Sequence, residues 1–142
     1  MTLTKPSLKL TYDGARVALD AAVAKAREIG VPQDIAVVDD GGNLLAFARM
    51  DGARLLSINT SQTKALSAAS HRQPTNRLHV ADEVRLAFAT GGKLTNLKGG
   101  LPIIIDGVCV GAIGVGSGTG DQDVEVARAG LAALGAEDFP VL

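Results

Sequence analysis

From Ala15, apolar residues recur at Ala18, Leu19, Ala22, Val23, Ala26 and Ile29. Offsets of three and four place such residues on one face of a helix. Thr11 is positioned to cap its start, and Gly30 followed by Pro32 to close it. The period then changes. Ile35-Ala-Val-Val-Asp39 and Leu44-Leu-Ala-Phe-Ala-Arg49 flank Asp40-Gly-Gly-Asn43, two apolar runs around a glycine-rich turn, which predicts a β-hairpin. Leu55 to Ser70 reads as a second helix ended ahead of Pro74, and Asn76 to Thr90 as a third stopped by Gly91-Gly92. Pro102 to Asp106, Gly107 and Val108 to Val110 form a second hairpin, whose last strand continues through Ala112 to Val115. Asp121 to Leu134 is the final helix, with acids in its first turn where the dipole favours them. Hairpins rather than βαβ crossovers predict a largely antiparallel sheet carrying helices, an α+β architecture.

No repeat, low-complexity stretch or linker divides residues 1–142, which read as one domain. The chain holds 17 glycines but only 3 Phe, 1 Tyr and no Trp, so an aromatic platform for stacking bases is not expected. A formal net charge of −1 lacks the basic excess that a nucleic acid or an anionic membrane surface attracts. Cys109, the single cysteine, excludes an internal disulfide and any multi-cysteine metal site. Its neighbours Val108 and Val110 mark it as a buried strand residue. The first nine residues show no apolar h-region, and no apolar run approaches membrane-spanning length, so a cytoplasmic protein is expected.

Several constellations invite chemistry. Gly111-Ala-Ile-Gly-Val-Gly-Ser-Gly-Thr-Gly120 precedes a helix, yet it lacks the Gly-Lys-Ser/Thr of a phosphate loop and the spacing of a dinucleotide fingerprint. It reads either as a tight strand-to-helix turn or as a ligand-contacting loop, with Ser117 as a ligand-binding candidate. On the second helix, Ser57, Thr60, Ser61, Lys64, Ser67 and His71 share one face. That stripe is either a solvated surface or a site in which Lys64, desolvated among small residues, serves as base or nucleophile. Ser61-Gln-Thr-Lys64 matches the S-x-x-K pattern of serine acyltransferases, but the other motifs of that class are absent. His71 and His79 are the only histidines, so one chain cannot build a three-histidine zinc site, while either could serve as a single axial haem ligand. In Arg49-Met-Asp51, the arginine either pairs with Asp51 or clamps a ligand carboxylate with Asp51 orienting it.

Taken in order, Ile35-Ala-Val-Val-Asp-Asp-Gly-Gly-Asn-Leu44, Arg49-Met-Asp-Gly-Ala53, Lys64-Ala65, Gly99-Gly-Leu-Pro-Ile-Ile-Ile-Asp-Gly107, Val110-Gly-Ala-Ile-Gly-Val115 and Gln122 to Leu131 resemble the GlcG/HbpS family. That family includes the C-terminal domain of PduO-type corrinoid adenosyltransferases. The resemblance runs from about Tyr12 to Leu134. It implies a profilin-like α/β sandwich with a five-stranded antiparallel sheet, assembly into homo-oligomers, and haem binding in some members. Ser70-His-Arg-Gln-Pro-Thr75 departs from the commoner phenylalanine-glycine-arginine-proline-threonine version, which implies a specialised member.

The leading expectation is a small-ligand-binding protein with haem as the named ligand, held in an aliphatic pocket or between subunits. His71 or His79 would ligate iron, with Arg49 or Lys64 near the propionates and Ser61 and Ser117 among the contacts. The rival is a cofactor-independent lyase, hydratase or isomerase acting on a catabolic carboxylic acid. There Arg49 holds the carboxylate, Lys64 and His71 move protons, and Asp51 orients one of them. A purely structural or partner-binding module is the third reading.

Overall fold

The computed structural model describes residues 1–141. The elements run α1 (Tyr12–Ile29), β1 (Asp34–Asp39), β2 (Leu44–Arg49), α2 (Ser57–His71), α3 (Val80–Ala89), β3 (Gly100–Ile105), β4 (Val108–Gly116) and α4 (Gly120–Leu134). One antiparallel sheet has the order β2-β1-β4-β3. The α+β class and both hairpins agree with the sequence reading, but the sheet has four strands, not five. The outer edge of β3 is met by single backbone bonds from Thr75 N to Gly100 O and from Glu137 N to Ile104 O. Those isolated contacts satisfy two carbonyls without building a further strand. Pro102 has no N–H to give to a ladder, and its place on an edge strand accommodates that.

Local chemistry sets the element ends. Thr11 Oγ1 accepts from Gly14 N at 3.0 Å to start α1, and Gly30 ends it at φ +71°. Asp39 Oδ1 accepts from Gly41 N at 2.9 Å and Asn43 N at 3.0 Å, which folds the first hairpin turn. At the second, Asp106 and Gly107 both have positive φ, +51° and +77°, the pair a tight two-residue turn requires. Thr119 and Gln122 form a reciprocal capping box that starts α4. The third helix begins at Val80, later than the expected Asn76, because Asn76 itself sits at φ +72° and His79 supplies the cap. Cys109 is half-buried rather than buried, and partial burial pushes its thiol up from the ordinary range.

The strands alternate between two unequal cores. Ile35, Val37, Ile113 and Val115 face α1 and α4 with Ala18, Leu19, Val126 and Leu131 in the larger cluster. Ala36, Val38 and Ala112 face α2 and meet Ala65, Ala68 and Ala69. On this second face the helix backbone itself touches the strands. A Cβ on Gly114 would collide with Ser61 O and lie 2.5 Å from Ala65 N, and one on Gly100 would collide with Lys64 O. Close helix–sheet approach thus accounts for Gly100 and Gly114, while eight other glycines take positive φ, and neither role is that of a phosphate loop.

Gly114→Ala is expected to lower stability by about 3 kcal/mol, at the upper end of overpacking costs, because helix backbone rather than a movable side chain fills the space. Urea denaturation measures the loss.

Candidate functional site

Close docking of α2 carries Lys64 into the interior. It is 5% exposed, and its Nζ donates to Val115 O at 2.8 Å and Asp123 Oδ2 at 3.0 Å. Gly118 N donates to Asp123 Oδ1 at 2.9 Å. With the Gln33 amide oriented to suit its neighbours, Nε2 donates to the same oxygen at 2.9 Å. Burial pushes the Asp123 carboxyl up, while Lys64, the Gly118 amide and Gln33 pull against it. Gly99, at φ +122°, leaves the room this knot needs, since a Cβ there would stand 3.0 Å from Lys64 Nζ and 2.9 Å from Asp123 Cβ. The glycine-rich loop thus wraps an anion of its own chain, the Asp123 carboxylate.

The remaining sequence candidates are dispersed. Ser61 is buried and its Oγ donates to Ile58 O at 3.2 Å, a bond within α2. Ser117, at φ +92°, accepts from Arg54 N at 2.9 Å. Arg49 is exposed and stands across from Asp34 on β1, and Asp51 is exposed in the turn that follows. His71 is exposed at the last position of α2. His79 Nδ1 accepts from Ala81 N at 3.2 Å as the cap of α3. A neutral imidazole accepting at Nδ1 carries its proton on Nε2, which leaves no lone pair there for a metal.

The concave surface lies beside α3. None of the residues of α3 is buried, and Val80, Val84 and Phe88 form an exposed stripe at helical spacing. Gly91 and Gly92, at φ +64° and +79°, turn the chain back along the helix. Asn96 fastens the returning segment, accepting from Leu78 N at 3.0 Å and donating to Glu83 Oε2 at 2.9 Å. Thr95 N donates to Ser67 Oγ at 3.0 Å and ties it to α2. Between helix and segment runs an open groove of about 590 Å³, walled by Val84, Ala87, Phe88, Leu94 and Leu97, with Glu83 at its rim. Its size falls in the range of small-ligand sites. Thr95 also borders a cleft of about 60 Å³ that holds His71, Thr75 and Arg77. Of the sequence candidates, only His71 and the capping His79 lie beside this region. The apolar spacing of Val80, Val84 and Phe88 was the available signal, and it was absorbed into the expectation of a third packed helix.

Among the described residues, no group of three or more His, Cys, Asp or Glu side chains is arranged to hold a metal ion. No described helix is long and apolar enough to cross a membrane.

Helices on both faces of a four-stranded antiparallel sheet, with an apolar groove outside the core, define a small α+β sandwich whose candidate site is peripheral. The family described as haem degrading protein HbpS-like matches residues 10–132, and the chain belongs to that family. It is 39% identical to protein GlcG of Escherichia coli K12 over 112 residues, 78% of this chain and 84% of GlcG. The crystal structure of Klebsiella pneumoniae protein ORFY superposes with a TM-score of 0.90 at 33% identity, covering 97% of this chain and 99% of that one. The structure of a PduOC–haem complex superposes with a TM-score of 0.84 at 26% identity, covering 94% and 100%.

Lys64→Met strands a buried carboxylate and is expected to cost about 3–5 kcal/mol. Lys64→Met combined with Asp123→Asn, which leaves no buried charge, should recover part of that loss in urea denaturation.

Proposed function

We propose that this chain binds a small apolar ligand, haem foremost, in the groove beside α3, and that copies of the chain assemble over that face. The groove carries the reading: an apolar wall of Val84, Phe88, Leu94 and Leu97 stands outside the core, with Phe88 88% and Leu97 55% exposed. Exposed apolar area of this kind marks interaction sites. A related fold holding haem in the PduOC complex supports haem as the ligand.

The residues present fit a porphyrin in a particular way. The groove lining offers apolar surface for a macrocycle but no histidine, cysteine, methionine or tyrosine to ligate iron. His71 lies in the adjoining cleft across Thr95, and Arg77 beside it supplies a cation for propionates. His71 is therefore the preferred iron ligand, since His79 spends Nδ1 on the helix cap. Bound haem would supply a redox-active iron; the chain's own part is to exclude water from one face and present the imidazole. Open along its outer side, the groove is closed by a second copy of the chain. Arg49 stands on β2, at the sheet edge opposite β3, and Lys64 is committed to Asp123, so neither is placed to meet propionates here. The same pairing of Lys64 with Asp123 weighs against its part in the cofactor-independent enzyme reading, which leaves His71 to move protons there.

Titrating hemin into the protein should give a Soret band that sharpens and saturates. His71→Ala should weaken binding at least about tenfold, the equivalent of one lost ligand interaction of 1.4 kcal/mol or more. A featureless, non-saturating rise in absorbance would end the haem reading. Val84→Glu places a charge in the exposed stripe and should lower both hemin affinity and the native mass by light scattering, without changing the urea midpoint by more than about 0.5 kcal/mol.

A further inference from the structure

Asp34 opens β1, is fully buried, and neither of its carboxyl oxygens meets a hydrogen-bond partner. Native folds keep such groups rare. It shares a strand face with Ala36 and Val38, which pack beneath α2. Across the strands it faces Arg49 on β2 and Gly116 on β4. Because Gly116 has no side chain, the first turn of α2 roofs this corner: a Cβ there would lie 3.1 Å from Thr60 Oγ1 and 3.2 Å from Ser57 Cβ.

The first-turn amides of α2 are already spent. The cap residue of α2, Leu56, has no side chain able to accept, and the helix begins with Ser57 N donating to Arg54 O at 3.1 Å and Ile58 N to Leu55 O at 3.2 Å. The segment 50–56 that receives them is held by Met50 N to Gln33 O at 3.0 Å and by Arg54 N to Ser117 Oγ at 2.9 Å. The charged groups on the elements around Asp34 are Arg49 on β2, Asp51 and Arg54 on the connecting segment, and the Lys64–Asp123 pair beyond Gln33. The β4 residues here, Gly116 and Ser117, and the α2 residues Ser57, Thr60 and Ser61 are uncharged.

We propose that Asp34 is a latch on the entry to α2: as a neutral acid it keeps residues 50–56 closed, and as a carboxylate it releases them. A neutral acid tolerates a buried corner without a protein partner far better than an anion does. Once its proton leaves to water, the carboxylate takes the Arg49 guanidinium and the first-turn amides of α2, where the helix dipole favours negative charge. Those amides then let go of Arg54 O and Leu55 O, and the segment lifts. Burial pushes the Asp34 carboxyl up and Arg49 draws it partly back. The folded chain therefore holds this proton more tightly than the unfolded chain. The closed form loses stability as pH rises from the ordinary carboxylate range to Asp34's own midpoint.

Amide hydrogen exchange on the intact protein, corrected for intrinsic rates, tests this. Protection at Arg54, whose amide ties the segment to Ser117 Oγ, should fall about tenfold per pH unit as Asp34 ionises, and Asp34→Asn should abolish that dependence. The same pH dependence in both proteins would overturn the latch. Carboxyl carbon-13 NMR of the unmodified chain provides a check that does not depend on the variant folding. A raised Asp34 midpoint supports the latch, and a midpoint in the ordinary carboxylate range overturns it.

Discussion

The nearness of α2 to the sheet is the constraint on which the rest of the structure depends. Gly100 and Gly114 present bare backbone to the helix, so Ser61 O and Lys64 O rest where side chains would otherwise stand. At that separation a lysine side chain has no route to solvent and reaches instead across the end of β4 to Val115 O and Asp123. The ion pair in turn fixes Gln33, the loop at Gly118 and the start of α4. A charge pair this dry contributes little net stability against a well-packed apolar alternative. Its consequence is positional: it pins a helix on one face of the sheet to a helix on the other through the strand between them.

The two faces divide the labour. Branched aliphatic residues against α1 and α4 supply most of the buried apolar surface, the dominant favourable contribution to folding. The α2 face is built from alanine and glycine, where burial per residue is small and geometry is tight. Polar features that the apolar side could not tolerate collect there: the Lys64 knot, the unpartnered Asp34, and the hydroxyls of the first turns.

The periodic parts of the chain were legible because burial itself imposes the period. Ala15 to Ile29 alternates as a helix on a sheet must, and the two hairpins announce themselves through Asp-Gly and Gly-Gly turns that need positive φ. The fifth strand came from family resemblance, and no residue pattern in the chain called for it. The second helix's polar stripe was correctly placed on one face, but its meaning depended on glycines some 35 to 50 positions away in sequence. Nothing local to Lys64 reveals that its partner is Asp123. Asp34 was hidden for a related reason: a lone acid at the start of an apolar run looks like a turn residue until two neighbouring strands and a helix close around it. The α3 groove was missed because an amphipathic period shows that a face is apolar without showing whether the rest of the fold covers it.

That uncovered face has a bearing on how such a domain diversifies. A helix that contributes no buried residue to its own fold is free of the volume and rotamer constraints that bind a core. Residues 80, 84, 88 and 97 can be exchanged while α1, α4 and the sheet stay as they are. The sandwich thus acts as a fixed chassis, and the identity of what it carries is written in a few positions that the chassis does not read.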